Sequence, residues 1–198
     1  YPFLQGVYLT LTNWNGFGYT KLAGLTNYGN AVKDPVFWST IWFTVKFVIG
    51  SVIAVNAVAF GLALLVTSRL KSSNVFRTFF FIPNLIGGIA LGVIWQFIFN
   101  NILTGLSHKY SLPFFKASLL GTTGGAYWAL ILVTVWQSSG YMMIIYISGL
   151  LSIDNEILEA SKVDGASPLR TLWNIKMPLM IQAFTISLFL TMRNGFMS

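Results

Sequence analysis

The side chains that carry most protein chemistry are scarce in this sequence. Its 198 residues include no cysteine and a single histidine, His108, which excludes thiol chemistry and disulfides and leaves too few ligands for a metal site. One histidine cannot supply a Ser/His/Asp set, and no pair of carboxylates lies in an apolar context. The phosphate-binding pattern G-x-x-x-x-G-K-[ST] is also missing. The chain is therefore predicted not to be an enzyme and to hold no metal or cofactor of its own.

Charged side chains are concentrated in one stretch, residues 150–182. This stretch holds four of the five acidic residues of the chain and three of its twelve basic residues, and long apolar runs flank it. A polar segment between two membrane-length runs must lie in water, where another molecule can dock on it. The alternative is a surface hairpin that merely joins two membrane spans, and the residues by themselves favour neither.

Within this stretch the residues predict two short helices that meet at a sharp corner. Asp154 suits the N-cap of the first helix, and Gly165 follows Asp164 where a C-terminal cap glycine is expected. Ser167 then caps the second helix, with Pro168 at its first position.

The second helix is predicted to end before Pro178, because a residue that precedes proline, here Met177, is biased away from helical geometry. Apolar residues give each helix a partial apolar face. They are Ile157, Leu158 and Val163 on the first helix, and Leu169, Leu172 and Trp173 on the second.

A spaced series of residues runs through the corner: Glu159, Ala160, Asp164, Gly165, Ala166, Leu172, Ile175 and Pro178. This series resembles the EAA motif of bacterial ABC-importer permeases, and its Asp-Gly-Ala step is similar to carbohydrate permeases of the maltose-importer type. Three positions depart from the usual motif. Ser161 replaces its second alanine, Leu172 stands where phenylalanine is common, and Gln182 occupies a frequent proline position.

The resemblance implies that residues 152–177 form cytoplasmic coupling helices, which in that family sit in a groove of the ATPase subunit. ATP is then bound by a partner ATPase dimer and not by this chain. It also implies a second homologous permease subunit and an extracytoplasmic sugar-binding protein as partners. The expected function is that of a permease subunit of an ATP-driven importer for a sugar or oligosaccharide, working by alternating access in the bacterial plasma (inner) membrane.

Composition leads independently to a membrane protein. Hydrophobic residues make up 55% of the chain and charged residues 9%, against roughly 25% charged in soluble domains. The net charge of +7 raises the possibility of nucleic-acid binding, but the basic residues are too scattered for it. No nucleic acid is expected as a partner, whereas membrane lipid is.

Four apolar runs predict membrane spans at residues 41–68, 76–103, 126–151 and 178–198. Such runs must be helical, because lipid cannot hydrogen-bond exposed backbone groups, and the predicted fold is an all-α transmembrane bundle. Residues 13–40 are predicted to form an outer loop, and their segment 24–28 with Asp34 and Phe37 resembles the region after the first span of maltose-type permeases. Both ends of the bundle are expected to be missing from the sequence, which starts at Tyr1 and stops inside a span.

Orientation follows from the basic residues of the loops. Six lie in residues 69–78 and 152–177, whereas four lie in the longer segments 13–40 and 104–125. The first pair of segments is therefore predicted to be cytoplasmic.

Polar residues inside spans are costly, so they suggest functional positions. The predicted substrate path comprises Asn84, Trp136, Gln137, Arg193 and Asn194, since sugars are held by amide and guanidinium hydrogen bonds and an aromatic face. Arg193 lies about 15 residues beyond Pro178, or roughly 22 Å along a helix, which places it past the middle of the membrane. Alternatively, Arg193 snorkels to the outer interface, and Asn84 only satisfies the bend at Pro83.

Two other classes of protein stay open at this level. An ion-coupled secondary transporter is disfavoured by the lack of carboxylates within the spans. A purely structural scaffold would leave the Asp-Gly-Ala step unexplained. The identity of the transported sugar, or even whether it is a sugar, does not follow from the residues.

Overall fold

The computed structural model describes residues 1–18, 21–68, 73–110 and 119–197. Arg69, Lys71 and Lys116, which were counted above among the basic residues of the loops, lie outside these ranges. Ser198, the last residue of the predicted fourth span, and the side chain of His108 also lie outside them. Within the described residues the fold is helical, apart from an isolated antiparallel bridge between Thr12 and Leu22. The predicted all-α class is confirmed.

Eleven α-helices are described in this part of the chain. They are α1 (Pro2–Thr10), α2 (Thr26–Lys33), α3 (Pro35–Thr67), α4 (Ser73–Phe81), α5 (Gly88–Phe97), α6 (Thr104–Tyr110), α7 (Thr123–Leu151), α8 (Asn155–Val163), α9 (Pro168–Thr171), α10 (Met177–Leu179) and α11 (Ile181–Met197). Short 3-10 segments (Ile82–Leu85, Leu119–Gly121) and π-helical segments (Ile98–Leu103, Leu172–Lys176) connect several of them.

The chain divides into two compact units, Tyr1–Lys46 and Phe47–Ser198. In the first unit, the loop after α1 is held by Asn27, whose Nδ2 donates to the carbonyls of Thr10 (2.9 Å) and Thr12 (3.0 Å). Residues 13–40 are less loop-like than predicted, because they contain α2 and the start of α3.

The early start of α3 has a local cause. Pro35 occupies its first position, and the carboxylate of Asp34 accepts a hydrogen bond from the Val36 amide at 2.8 Å. A capping acid followed by proline is a favourable helix start. With 33 residues, α3 is about 50 Å long, more than a hydrocarbon core of about 30 Å requires.

Among the residues that the structure describes, three helical segments are long and apolar enough to cross a membrane: Pro35–Thr67, Gly88–Ser107 and Thr123–Leu151. A fourth span arises only if Pro168–Leu179 and Ile181–Met197, which meet at a 72° bend, are counted as one. The predicted spans 41–68 and 126–151 fall on the first and third of these segments.

The predicted second span, residues 76–103, is not one helix. Helix α4 passes into the 3-10 turn Ile82–Leu85, and the backbone is extended at Ile86 and Gly87 before α5 begins. Pro83 has no amide hydrogen to donate, and Gly87 and Gly88 are weak helix formers, so the sequence breaks the helix here. The freed carbonyl of Ile86 lies 3.5 Å from Nε2 of Gln137, which donates to it.

The core of the second unit is formed where α3, α7 and α11 meet. Its buried residues are Val55, Ala59, Ala63, Val66, Met142, Met143, Tyr146, Ile147, Leu150, Ile153, Met180 and Ala183. Small residues allow helices in a membrane to approach closely, and the clearest case is Gly140 of α7. A Cβ atom at Gly140 would overlap the backbone carbonyl of Phe80 at the end of α4. The turn after α4 is therefore held directly against α7.

Candidate functional site

The helix–glycine–helix corner, residues 154–178, ends α8 in a Schellman arrangement. Gly165 has φ of +71°, its amide donates to the Lys162 carbonyl, and the Ala166 amide donates to the Ser161 carbonyl, both at 3.0 Å. These are the two bonds that define the motif, and they require a left-handed residue at the glycine position. The predicted cap at Gly165 is thus present in the structure.

The start of α9 also follows the sequence prediction. Ser167 is its N-cap, and its hydroxyl accepts from the Arg170 amide at 3.3 Å, with Pro168 at the first helical position. Asp154 stands at the N-cap of α8, but its side chain makes no capping hydrogen bond within the described structure.

The end of the second corner helix was predicted wrongly. Met177 has helical angles, φ −61° and ψ −45°, and the helical path continues to Leu179 before it bends at Met180. A π-helical segment, Leu172–Lys176, precedes Pro178. We attribute the continuation to this wider turn, which separates the proline ring from the carbonyl that it would otherwise meet.

One face of the corner packs against the bundle and the other is exposed. Leu158 packs on the core, and Ser161 is buried, with its hydroxyl donating to the Leu158 carbonyl at 2.8 Å and lying 3.5 Å from the Thr171 hydroxyl. The exposed large apolar residues are Ile157, Val163, Leu169 and Trp173, with Val163 at 88% and Trp173 at 62% exposure. Contiguous exposed apolar patches are typical of surfaces that contact another molecule.

The positions of the EAA-like series within the corner differ in accessibility. The side chains of Glu159, Ala160, Asp164 and Pro178 are exposed and the Gly165 backbone is open, whereas Ala166, Leu172 and Ile175 are partly buried. The accessible acidic residues Glu159 and Asp164 thus belong to the same corner as the exposed apolar side chains. None of these residues contributes to a cluster that could hold a metal ion in the described parts of the chain.

Four of the five residues predicted for a substrate path lie together in one pocket. A polar pocket of about 330 Å³ in the second unit is lined by Asn84, Gln137, Arg193 and Asn194. These side chains come from the broken segment after α4, from α7 and from α11. The pocket combines one guanidinium with neutral amides, a set of groups that can hydrogen-bond to hydroxyls.

Trp136 is the predicted residue that the structure does not place in this pocket. It lines a larger, apolar cavity of about 690 Å³ together with Trp95 and Pro83, and its ring meets that of Trp95 edge-on at 5.4 Å. Neighbours on a helix point about 100° apart, so Trp136 and Gln137 face different cavities. An aromatic face from Trp136 is therefore not available to a molecule in the polar pocket.

Five further lining residues were not predicted for the substrate path: the polar residues Thr134, Ser138 and Thr191, and also Gly195 and Met197. Their spacing was an available signal: Thr134, Gln137 and Ser138 follow the i, i+3, i+4 pattern of one helix face. Thr191 and Asn194 are likewise three residues apart.

The position of Arg193 along its helix differs from the one counted from Pro178. Because the chain bends at Met180, the last helix starts at Ile181 and not at Pro178. Arg193 is then 12 positions beyond the first residue of α11 (193 − 181), or about 18 Å along it.

These features define a class of protein: a multi-pass helical membrane protein with an exposed helix–glycine–helix corner and a polar pocket between its helices. Residues 59–197 match the family described as binding-protein-dependent transport system inner membrane component. The chain belongs to this family. The resemblance stated from the corner residues is thereby confirmed, and membership of a transport family supports the prediction that the chain is not an enzyme.

Individual relatives are similar over almost the whole chain. The probable starch degradation products transport system permease protein AmyD of Thermoanaerobacterium thermosulfurigenes is 41% identical over 98% of this chain and 66% of its own length. The multiple sugar-binding transport system permease protein MsmF of Streptococcus mutans is 29% identical over 98% of this chain and 68% of its own length. The chain thus spans about two thirds of the length of these relatives.

Among solved structures, the fold is similar to a chain of a bacterial alginate ABC transporter in complex with an alginate pentasaccharide-bound periplasmic protein. The TM-score is 0.80 at 16% identity, over 96% of this chain and 65% of that one. At this identity the likeness concerns the fold alone.

Proposed function

We propose that this chain is a permease subunit of an ATP-driven importer for a sugar or oligosaccharide. The corner, residues 154–178, is the observation that carries the proposal. Its Schellman turn is fixed by two backbone hydrogen bonds, while four of its large apolar side chains are exposed within the described chain. A rigid, water-facing and apolar surface is suited to transmit force from a separate ATPase subunit.

The carbohydrate substrate class is supported by the relatives and by the pocket. Both named relatives are permeases of sugar or starch-product transport systems. The polar pocket offers amide, hydroxyl and guanidinium groups, which match the hydroxyl-rich surface of a sugar. In this proposal Asn84, Gln137, Arg193 and Asn194 line the translocation path, whereas Trp136 lies outside it.

The partners follow from the same proposal. The corner binds one subunit of an ATPase dimer, and a second homologous permease completes the path. A sugar-binding protein outside the membrane delivers the substrate. ATP is bound by the ATPase subunits, and this chain requires no cofactor.

Affinity purification of the full-length protein from its native membrane, followed by reconstitution in vesicles, tests the proposal. We expect an ATPase chain to co-purify, and uptake of maltotriose into the vesicles to require both ATP and a binding protein. Uptake driven by an ion gradient without ATP would instead establish the secondary-transporter alternative.

A labelling experiment tests the orientation of the second unit. Thr123 starts α7, and Ser167 lies in the corner beyond its other end, so the two positions should be on opposite sides of the membrane. We expect a cysteine replacing Thr123 to react with an impermeant maleimide in intact cells, and one replacing Ser167 to react only after permeabilisation. The lack of native cysteine in the sequence removes background labelling. The reverse pattern would place the corner outside the cell and would rule out ATPase docking.

A substitution of Arg193 tests whether the polar pocket lines the translocation path. Arg193→Gln should lower the rate of maltotriose uptake about tenfold, the effect expected when one charge-assisted hydrogen bond is lost. Assembly of the complex and ATPase activity without binding protein should stay near their original values. Thr185→Val is the matched control, since the Thr185 hydroxyl donates to the Ile181 carbonyl of the same helix and does not line the pocket. Unchanged uptake by Arg193→Gln would show that Arg193 snorkels to the interface.

A further inference from the structure

Asn56, in the middle of α3, is the centre of a buried hydrogen-bond network that joins three helices. Its Nδ2 donates to the Val52 carbonyl at 2.7 Å and to the Thr191 hydroxyl at 3.3 Å. Its Oδ1 accepts from the hydroxyls of Tyr146 at 2.8 Å and Ser187 at 2.6 Å. An amide side chain has two donors and two acceptor sites, and all four are used here.

The proton positions in this network are determined by its chemistry. The Val52 carbonyl can only accept, so the nitrogen of Asn56 must face it, and the oxygen must face Tyr146 and Ser187. The Thr191 hydroxyl donates to the Ser187 carbonyl at 2.7 Å, which leaves its oxygen free to accept from Asn56. One arrangement therefore satisfies every group. Buried networks of this kind rigidify the elements that they join.

The network and the polar pocket share the same helices. Thr191 lines the pocket and also accepts from Asn56, and the pocket residues Arg193 and Asn194 follow it on α11. The opposite wall of the pocket, including Gln137, is on α7, the helix that carries Tyr146. Asn56 itself does not line the pocket, yet it is bonded to both of the helices that do.

We propose that Asn56 is a positioning residue for the polar pocket, fixing α11 against α7 so that the polar side chains of the two helices face the same substrate. This inference rests on the proposed transport function for its effect on substrate. The geometric part of the inference, that Asn56 fixes the position of α11 relative to α7, does not depend on the transport function. Removing the amide would leave the Tyr146 and Ser187 hydroxyls without their acceptor in a buried site, and the helices would rearrange to satisfy them.

The experiment uses the assembled importer in lipid nanodiscs and measures geometry and transport separately. Spin labels replace Leu132 on α7 and Met192 on α11, both exposed in the described chain, and their distance distribution is recorded by pulsed electron resonance. Asn56→Leu, which is similar in size but cannot hydrogen-bond, is expected to shift or broaden that distribution. In unlabelled complexes in vesicles it should raise the KM for maltotriose about tenfold with a much smaller change in kcat.

Two variants complete the design. Thr67→Val is the matched control: Thr67 is also on α3 and partly buried, but its hydroxyl donates to the Ala63 carbonyl of the same helix at 2.8 Å, so both readouts should stay unchanged. Tyr146→Phe removes a single hydroxyl bond to Asn56 and keeps the ring packing. It should raise KM by a smaller factor, and it replaces Asn56→Leu in both assays if that variant fails to assemble.

An unchanged distance distribution would overturn the proposal, as would an unchanged KM in a complex that transports maltotriose. A fall in kcat at constant KM would also overturn it, because Asn56 would then act on another step. If the distance distribution changes while the unmodified complex does not transport maltotriose, the positioning of α11 stands and the proposed substrate fails.

Discussion

Gly140→Val is expected to destabilise the protein by about 3 kcal/mol or more, and to abolish assembly of a transport-competent complex. The physical reason is the absence of space. A Cβ atom at this position would overlap the carbonyl oxygen of Phe80 and would lie 3.0 Å from the Phe81 amide nitrogen. Backbone atoms cannot rotate away as the end of a flexible side chain can. The whole segment after α4 must therefore move off α7.

Displacement of the broken segment after α4 would also alter the polar pocket. Asn84 lies three residues after Phe81 and lines the pocket, and the bond from Gln137 to the Ile86 carbonyl joins the same segment to α7. A displaced segment would change both the position of Asn84 and the hydrogen bond from Gln137 to Ile86. We expect a melting temperature about 5–10 °C lower in detergent, measured by intrinsic tryptophan fluorescence, together with poor recovery of the complex.

Gly92→Ala is the matched control for this substitution. Gly92 is also within a helix, α5, but a Cβ atom there meets nothing within 4 Å. Alanine should be neutral or stabilise by roughly 0.5–1 kcal/mol, as expected for a helix interior. If Gly140→Val behaves like Gly92→Ala, the close approach of α4 to α7 is not a feature of the protein in its membrane.

Gly165→Val is expected to leave the bundle folded and to uncouple ATP hydrolysis from transport. Nothing lies within 4 Å of a Cβ at Gly165, so the effect has a different cause from that at Gly140. The cause is the backbone conformation: Gly165 has φ of +71°, and a β-branched residue in this left-handed region costs about 1–3 kcal/mol of backbone strain. The Schellman bonds would break and α9 would lose its direction relative to α8.

Uptake of maltotriose and ATP hydrolysis should be measured side by side in vesicles. We expect uptake to fall at least about tenfold, while the complex is recovered in normal amount and its ATPase activity no longer responds to the binding protein. Gly165→Asn provides the control, because asparagine tolerates the left-handed conformation and should keep most of the coupling. Normal uptake by Gly165→Val would show that the geometry of this corner does not set coupling.

The parts of the structure that depend on neighbouring residues were predictable from the sequence. The cap at Gly165, the N-cap at Ser167 and the spans around α3 and α7 each depend on residues a few positions apart, on composition, or on length. Such local patterns predict the same structure wherever they occur in a sequence. Examples are a left-handed cap glycine, a hydroxyl residue before proline and a continuous apolar run. The family followed from the corner because its series of residues is local as well.

The early start of α3 and the wrong prediction at Met177 have a related origin. Helix α3 begins six residues before the predicted span 41–68 (41 − 35), because hydropathy does not register a capping pair such as Asp34 and Pro35. Met177 was expected to leave the helix because of Pro178, but the chain accommodates the proline with a π-helical turn. Preferences before proline are small enough for a change in helix type to override them.

The arrangement of the sites was decided only by the tertiary structure. Asn56 meets Tyr146 and Ser187, which are 90 and 131 positions away in the sequence, and no local pattern pairs them. Trp136 and Gln137 are adjacent in the sequence, yet they face an apolar cavity and a polar pocket. Consecutive residues on a helix point about 100° apart, so the neighbours of each side chain depend on how the helix is rotated against the others. That rotation is determined by close contacts such as Gly140 on Phe80, which exist only once the helices have packed.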